Sequence, residues 1–163
     1  MTPLDSFADA AELRPADSLP NDPRSAARQL ALQFLCQLAV QNGANLDQLE
    51  AFLAEFGPAG PIRDSAAQLV RGAWQNLEPI DDCIRRASAN WDPQRISLVD
   101  RGNLRLAVYQ LLLTPDVPPK VVINEALELA KRFSAAQAPA FVNGLLDSIW
   151  HSLAREKTNP PNC

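Results

Sequence analysis

The chain has 163 residues, with 15 basic and 19 acidic side chains and a formal net charge of −4. This length allows one domain with a buried core, and the sequence contains neither a signal segment nor an apolar run of the ~20 residues that span a bilayer. Three widely spaced cysteines and one histidine provide neither a disulfide framework nor a zinc site, so we expect a soluble cytoplasmic protein without a metal or another cofactor.

The first segment, residues 1–21, is rich in proline and acidic side chains and has no sustained hydrophobic period, so we expect a disordered extension. Up to Asp22 the chain carries five acidic side chains against Arg14 alone, which leaves 14 acidic and 14 basic side chains in the rest. The body is therefore neutral, and it can bind RNA only through a local basic patch with little long-range steering. The acidic segment is either an inert tail or a competitor of RNA for that patch.

The first helix is predicted to begin at Asp22, a suitable N-cap, with Pro23 in its first turn, and to end near residue 41. An apolar stripe with helical spacing should face the core and consists of Ala27, Leu30, Ala31, Phe34, Leu35 and Leu38. Three glutamines occupy the opposite side. Arg24 and Arg28 lie one turn apart at the margin, where the residues alone favour an ordinary solvated helix end.

Three further helices are predicted in the next part of the chain. A short one covers residues 46–56, and the glycines and prolines of residues 57–61 then form the clearest break in the body. The next helix runs over about residues 62–76, and another starts at Pro79. Each presents apolar side chains at the three-to-four-residue spacing of a helix packed on one side.

The fifth helix is predicted from residue 94 to about residue 114, with Asp92 as its cap and Pro93 in its first turn. It is apolar almost all round, so it should lie in the middle of a bundle. Arg101 and Arg105 are exceptions, and like charges four residues apart repel each other weakly. Their neutralising partner is a phosphate, open solvent or an internal carboxylate from Asp81, Asp82 or Asp100.

Residues 116–150 are predicted to form two consecutive amphipathic helices. The first places its apolar side chains on one side and Lys120 and Asn124 on the other. In the second, Asn143 begins a polar row that recurs every four residues and faces water or a partner. Gly144 interrupts this strong helical period, so we expect it at a close helix contact rather than in a hairpin turn.

Two blocks in this part of the chain, DVPPKVVINEALELAKRF from Asp116 and FVNGLLDSI from Phe141, resemble the NusB family of bacterial transcription antitermination proteins. A third block, DRGNLRLAVY from Asp100, is similar to the central helix of that family. The resemblance implies an all-α, single-domain bundle of about seven helices over residues 22–155, followed by a tail over residues 156–163.

The resemblance also implies a function. A NusB-like protein is expected to bind the boxA segment of nascent single-stranded RNA together with the ribosomal protein NusE. The assembly is delivered to elongating RNA polymerase and promotes read-through of terminators, notably in ribosomal RNA operons. Members of the family occur as monomers or dimers, so a homodimer is possible.

The resemblance further indicates which residues bind these partners. The family's first helix opens with an arginine cluster implicated in RNA binding, which assigns phosphate contacts to Arg24 and Arg28. Further RNA-binding candidates on exposed helix faces are Lys120, Asn124 and Asn143. The candidates for the protein partner lie in the central block and are Asp100, Arg101 and Arg105. A position that is usually tyrosine in the family's first helix is Cys36 here.

No enzyme signature is present in the sequence, because it lacks a glycine-rich phosphate loop, a metal-binding spacing and a nucleophile elbow. Two alternatives to an antitermination factor stay open. One is the NusB-like recognition module of some ribosomal RNA cytosine methyltransferases, which would need a following α/β domain with a catalytic cysteine. The other is a helical interaction protein that has lost RNA binding.

Overall fold

The computed structural model describes residues 19–41, 46–92 and 96–158, and these ranges contain seven α-helices, one 3-10 turn at Leu46–Gln48 and no strand. The helices are α1 Pro23–Val40, α2 Leu49–Phe56, α3 Pro61–Gln75, α4 Leu77–Ala87, α5 Leu98–Leu113, α6 Pro119–Phe133 and α7 Ala138–Thr158. The predicted all-α bundle of about seven helices is confirmed. Nearly all of the predicted N-terminal extension, residues 1–18, and the last five residues lie outside the described ranges.

Helix α1 begins as predicted, because the Asp22 side chain accepts a hydrogen bond from the Ser25 backbone amide at 3.0 Å. The hydrogen bonds from Ser25 lower the pKa of Asp22. Every member of the predicted apolar stripe is buried. The opposite side is also covered, since Gln29 and Gln33 are buried and Leu32 packs in a second apolar cluster with α5 and α6.

Helix α5 lies in the middle of the bundle, where it contacts α1, α3, α4, α6 and α7. The predicted start of this helix is wrong, because it begins four residues later than expected. Ser97 adopts an extended backbone and its hydroxyl accepts a hydrogen bond from the Asp100 amide at 3.1 Å, so Ser97 and not Asp92 is the N-cap. Pro93, the other residue of the predicted start, lies outside the described ranges.

Smaller differences concern the ends of other helices. Helix α4 begins at Leu77, two residues before the predicted start at Pro79, and only Asn76 separates it from the end of α3. Helix α7 continues to Thr158, past the predicted end of the domain at residue 155. The break over residues 57–61 is confirmed, and Gly60 has a φ of 97°, a conformation that favours glycine. In the described ranges no helix has the length and apolar character needed to cross a membrane.

The prediction for Gly144 is wrong, because this glycine is exposed and a β-carbon there would meet no atom within 4 Å. The close contact is instead at Gly72 on α3, where a β-carbon would collide with the ring and hydroxyl group of Tyr109. Gly72 therefore lets the Tyr109 side chain of α5 cross closely over α3. The apolar period of α3 does not identify Gly72 as a contact site, because Tyr109 lies 37 positions later in the sequence.

Candidate nucleic-acid interface

The two arginines of α1 lie in different environments. Arg24 is exposed, whereas only 4% of Arg28 is exposed. The prediction that both lie on an exposed helix face is therefore wrong for Arg28. The physical reason is that α1 packs between α5 on one side and α6 on another, so the margin of its apolar stripe is covered one turn into the helix.

Arg28 is held by one hydrogen bond and one long ion pair. Its Nε donates to Gln110 Oε1 on α5 at 2.9 Å, and its Nη1 lies 3.8 Å from Glu125 Oε2 on α6. Nη1 has no hydrogen-bond partner in the structure. Burial lowers the pKa of Arg28, and the negative charge of Glu125 opposes that shift. The guanidinium is thus a buried cation that the protein neutralises only in part.

Glu125 is shared between α6 and the start of α1. Its Oε2 accepts a hydrogen bond from Ser25 Oγ at 2.7 Å, and the same hydroxyl lies 3.0 Å from Asp22 Oδ2. Further along, Arg132 Nη1 donates to Gln29 Oε1 at 2.6 Å. These two points of contact show that α6 runs beside α1 in the same direction.

A half-open cavity of about 240 Å³ lies beside the two arginines, between the start of α1, one face of α3 and the end of α5. Its polar lining contains two cations, two amides and three hydroxyl groups, and no carboxylate: Arg24, Arg28, Gln68, Gln110, Ser65, Tyr109 and Thr114. Its walls include the apolar side chains of Ile62, Leu69 and Val117. The cavity therefore lies at the predicted RNA-binding end of α1.

The other predicted RNA-binding residues are exposed, as expected. Lys120 and Asn124 lie on α6, and Asn143 lies on α7. Because Glu125 meets the start of α1 and α6 runs parallel to α1, Lys120 lies towards the same end of the bundle as Arg24. Asn143 belongs to a helix that packs on α4, α5 and α6, and it does not line the cavity.

The three residues predicted to bind the protein partner are not equally available. Asp100 is buried, and its Oδ1 accepts a hydrogen bond from Ser134 Oγ at 2.6 Å. Arg105 forms a bidentate pair with Asp81, with distances of 2.8 Å from Nε and 2.9 Å from Nη2. This pair confirms that an internal carboxylate neutralises Arg105. Arg101 is half-buried and lines a cavity of about 200 Å³ together with Arg105.

An exposed aromatic pair near α4 and α7 was missed by the sequence analysis. Trp91 is 54% exposed, and its ring packs edge-on against Phe141 with the centroids 4.9 Å apart. A large exposed aromatic residue between two helices is the available sequence signal, because such residues are enriched at protein interfaces. The pair therefore leaves an aromatic ring exposed on the α4 and α7 side of the bundle.

Cys36 does not belong to either surface. It is 2% exposed and packs in the cluster formed with Leu32, Val99 and Leu129. Burial raises the pKa of the Cys36 thiol to about 12, with a further contribution from the charge of Asp100. The thiol is therefore protonated at neutral pH and serves as a small apolar core residue.

The sequence matches a known protein family and several of its members. Residues 25–151 match the model of the NusB family. A transcription antitermination protein NusB from Desulfatibacillum aliphaticivorans is 40% identical, over 82% of this chain and 94% of the relative. Another, from Anaeromyxobacter dehalogenans (strain 2CP-1), is 46% identical over 77% of this chain and 89% of the relative.

Solved structures agree with the sequence relatives. T. maritima NusB is 36% identical and superposes with a TM-score of 0.71, covering 81% of this chain and 93% of that protein. A structure of the antitermination factors NusB and NusE in complex with dsRNA matches with 25% identity and a TM-score of 0.72, covering 80% of this chain and 97% of the matched chain. The similarity thus spans most of the described bundle.

Proposed function

The chain belongs to the NusB family, and from that premise we propose that it is a transcription antitermination factor that binds RNA together with NusE. The observation that carries the proposal is the match over residues 25–151 to a family with a structural relative solved as a complex of NusB, NusE and dsRNA. The chain also spans 94% and 89% of the two NusB relatives compared above. That coverage favours an antitermination factor over a methyltransferase recognition module.

The RNA-binding surface proposed here is the end of the bundle at which α1 begins. Proteins hold single-stranded RNA by placing cations on its phosphates and polar or aromatic groups on its bases. Arg24 and Lys120 are exposed cations towards this end, and the cavity beside Arg24 offers polar groups. We assign phosphate contacts to Arg24 and Lys120, whereas Arg28 acts from the floor of the cavity.

We propose that NusE binds around Arg101 and the aromatic pair of Trp91 and Phe141. Arg101 adds a cation to this surface, while Asp100 and Arg105 stabilise it through their internal contacts. The complex then joins the elongating RNA polymerase in the cytoplasm and promotes read-through at boxA sites.

The test is a titration of a boxA oligonucleotide with the protein, with and without NusE, followed by fluorescence anisotropy at two salt concentrations. We expect weak binding by the protein alone, because its body carries no net charge. Adding NusE should tighten binding at least tenfold, since two linked binding surfaces share one RNA. A boxA oligonucleotide that binds neither the protein nor its complex with NusE would overturn the proposal.

A second candidate is a helical interaction protein that has lost RNA binding, and the burial of Arg28 is the observation that favours it. Arg28, one of the two arginines for which the family resemblance implies a phosphate contact, is removed from solvent by Gln110 and Glu125. In that case the oligonucleotide would bind neither the protein nor its complex with NusE, whereas a titration of labelled NusE with the protein would still show binding. The two titrations together separate the two candidates.

A further inference from the structure

The cavity beside Arg24 is large enough to hold one aromatic ring. Apolar side chains of α3 and of the segment after α5 supply its walls, and Ser65 and Gln68 lie where α3 borders the solvent. Its volume of about 240 Å³ accommodates a single purine or pyrimidine. Apolar walls combined with a few fixed polar groups are typical of sites that bind a ring and set its orientation.

The floor of this cavity is rigid. Gln110 fixes the Arg28 guanidinium through Nε at 2.9 Å, and both side chains are buried. Tyr109 is 7% exposed, and the absence of a side chain at Gly72 lets its ring cross over α3. Groups held in this way lose little conformational entropy when a ligand binds.

Charge distinguishes this cavity from its neighbours. Its lining includes two arginines and no carboxylate, and the nearest acid on Arg28, Glu125, is 3.8 Å from Nη1 and outside the lining. By contrast, the groove on the other face of α3 balances Arg63 and Arg71 with two carboxylates. The cavity therefore favours a ligand that carries negative charge or an edge rich in hydrogen-bond acceptors.

We propose that this cavity receives one unstacked base of the bound RNA, a guanine or a uracil, while Arg24 at its mouth contacts the adjoining phosphate. The proposal rests on the RNA-binding function proposed above. Guanine and uracil present carbonyl oxygens, which accept hydrogen bonds from arginine and amide donors, and a bidentate contact of arginine to the O6 and N7 atoms of guanine is common. Adenine presents an amino group at the same position, where it would meet the cation.

The test combines a cavity-filling variant with a scan of the RNA. Ser65→Trp places an indole at the mouth of the cavity from an exposed position on α3, so the core is not changed. Abasic nucleotides are then introduced one at a time into the boxA oligonucleotide, and affinities are measured for the complex with NusE. Ser148→Trp is the matched control, because it adds the same indole at an exposed serine on α7.

For the unchanged protein we expect one abasic position to weaken binding about tenfold, in line with the contribution of a single stacked base. Ser65→Trp should weaken binding of the intact RNA to a similar extent, and the same abasic position should then cause no further loss. Adenine at that position should also weaken binding, whereas guanine and uracil should be the preferred bases. Ser148→Trp should bind like the unchanged protein.

Either of two results would overturn the base pocket. One is an affinity of Ser65→Trp equal to that of the unchanged protein, and the other is an effect of Ser65→Trp that adds to the effect of every abasic position. In both cases an intact response to Arg24→Ala would leave the proposed RNA-binding function standing. Thermal unfolding of both tryptophan variants verifies that each is folded at the temperature of the titration.

Discussion

Arg28 and Arg105 are both largely removed from solvent, yet their charges are neutralised to different extents. Arg105 meets both oxygens of Asp81 at 2.8 and 2.9 Å, which is the bidentate geometry that best satisfies a guanidinium. Arg28 has an amide partner at 2.9 Å and its nearest carboxylate at 3.8 Å. The first arrangement completes an internal contact between α4 and α5, whereas the second leaves positive potential beside an open cavity. The comparison indicates that the pairing of a buried arginine, rather than its burial, decides whether it is available to a ligand.

The largest loss of stability is expected from a substitution beside the cavity at the α1 end. Gly72→Ala forces the new methyl group into the Tyr109 ring, which borders the cavity. We expect a loss of about 2–3 kcal/mol in the free energy of unfolding, as for overpacking of a tight core. Chemical denaturation measures this loss, and the RNA affinity of the folded fraction should also fall because Tyr109 is displaced.

Gly144→Ala is the matched control for that variant. This glycine lies within α7 and is exposed, and a β-carbon there would meet no atom. Alanine should therefore stabilise the protein by about 0.5–1 kcal/mol through helix propensity. Equal losses of stability in the two variants would contradict the assignment of Gly72 as the close contact.

A smaller loss of stability is expected when the ion pair between α4 and α5 is removed. Arg105→Ala leaves Asp81 without its bidentate partner, and because the Asp81 side chain is 39% exposed, water compensates part of the loss. We expect the free energy of unfolding to fall by about 1–2 kcal/mol, between the values for surface and buried pairs. RNA affinity measured without NusE should stay unchanged.

Arg28→Met is the corresponding change at the α1 end, and we expect the opposite result. Methionine retains much of the apolar stem and removes a cation that the protein pairs poorly, so stability should change by less than about 1 kcal/mol. RNA affinity should nevertheless fall, because the cavity loses its buried positive charge. If Arg28→Met and Arg105→Ala had the same profile, the contrast between the two arginines would be wrong.

The course of the helices could be predicted from the sequence because their apolar periods are local. Predicting that Arg28 is buried required knowledge of both helices that flank α1, and one stripe of apolar residues did not reveal it. The cap of α5 was misplaced for a similar reason, since Asp92 and Ser97 are both suitable caps and packing decides between them. Asp81 was among three carboxylates proposed for Arg105, and only the structure distinguishes it. The cavity combines residues from α1, α3 and α5, so no single sequence motif predicts it.

The smallest expected effect concerns Arg24, the exposed member of the α1 pair. Arg24→Ala should weaken RNA binding about threefold to tenfold and lower the slope of log affinity against log salt by about 0.7, the value for one phosphate contact to a single strand. Stability should not change, because the Arg24 side chain is exposed at the start of α1. Arg86→Ala removes another exposed arginine, on α4, and should leave the RNA affinity and the salt slope unchanged. A salt slope that stays the same in Arg24→Ala would show that this residue does not contact a phosphate, and the RNA surface would then have to lie away from the start of α1.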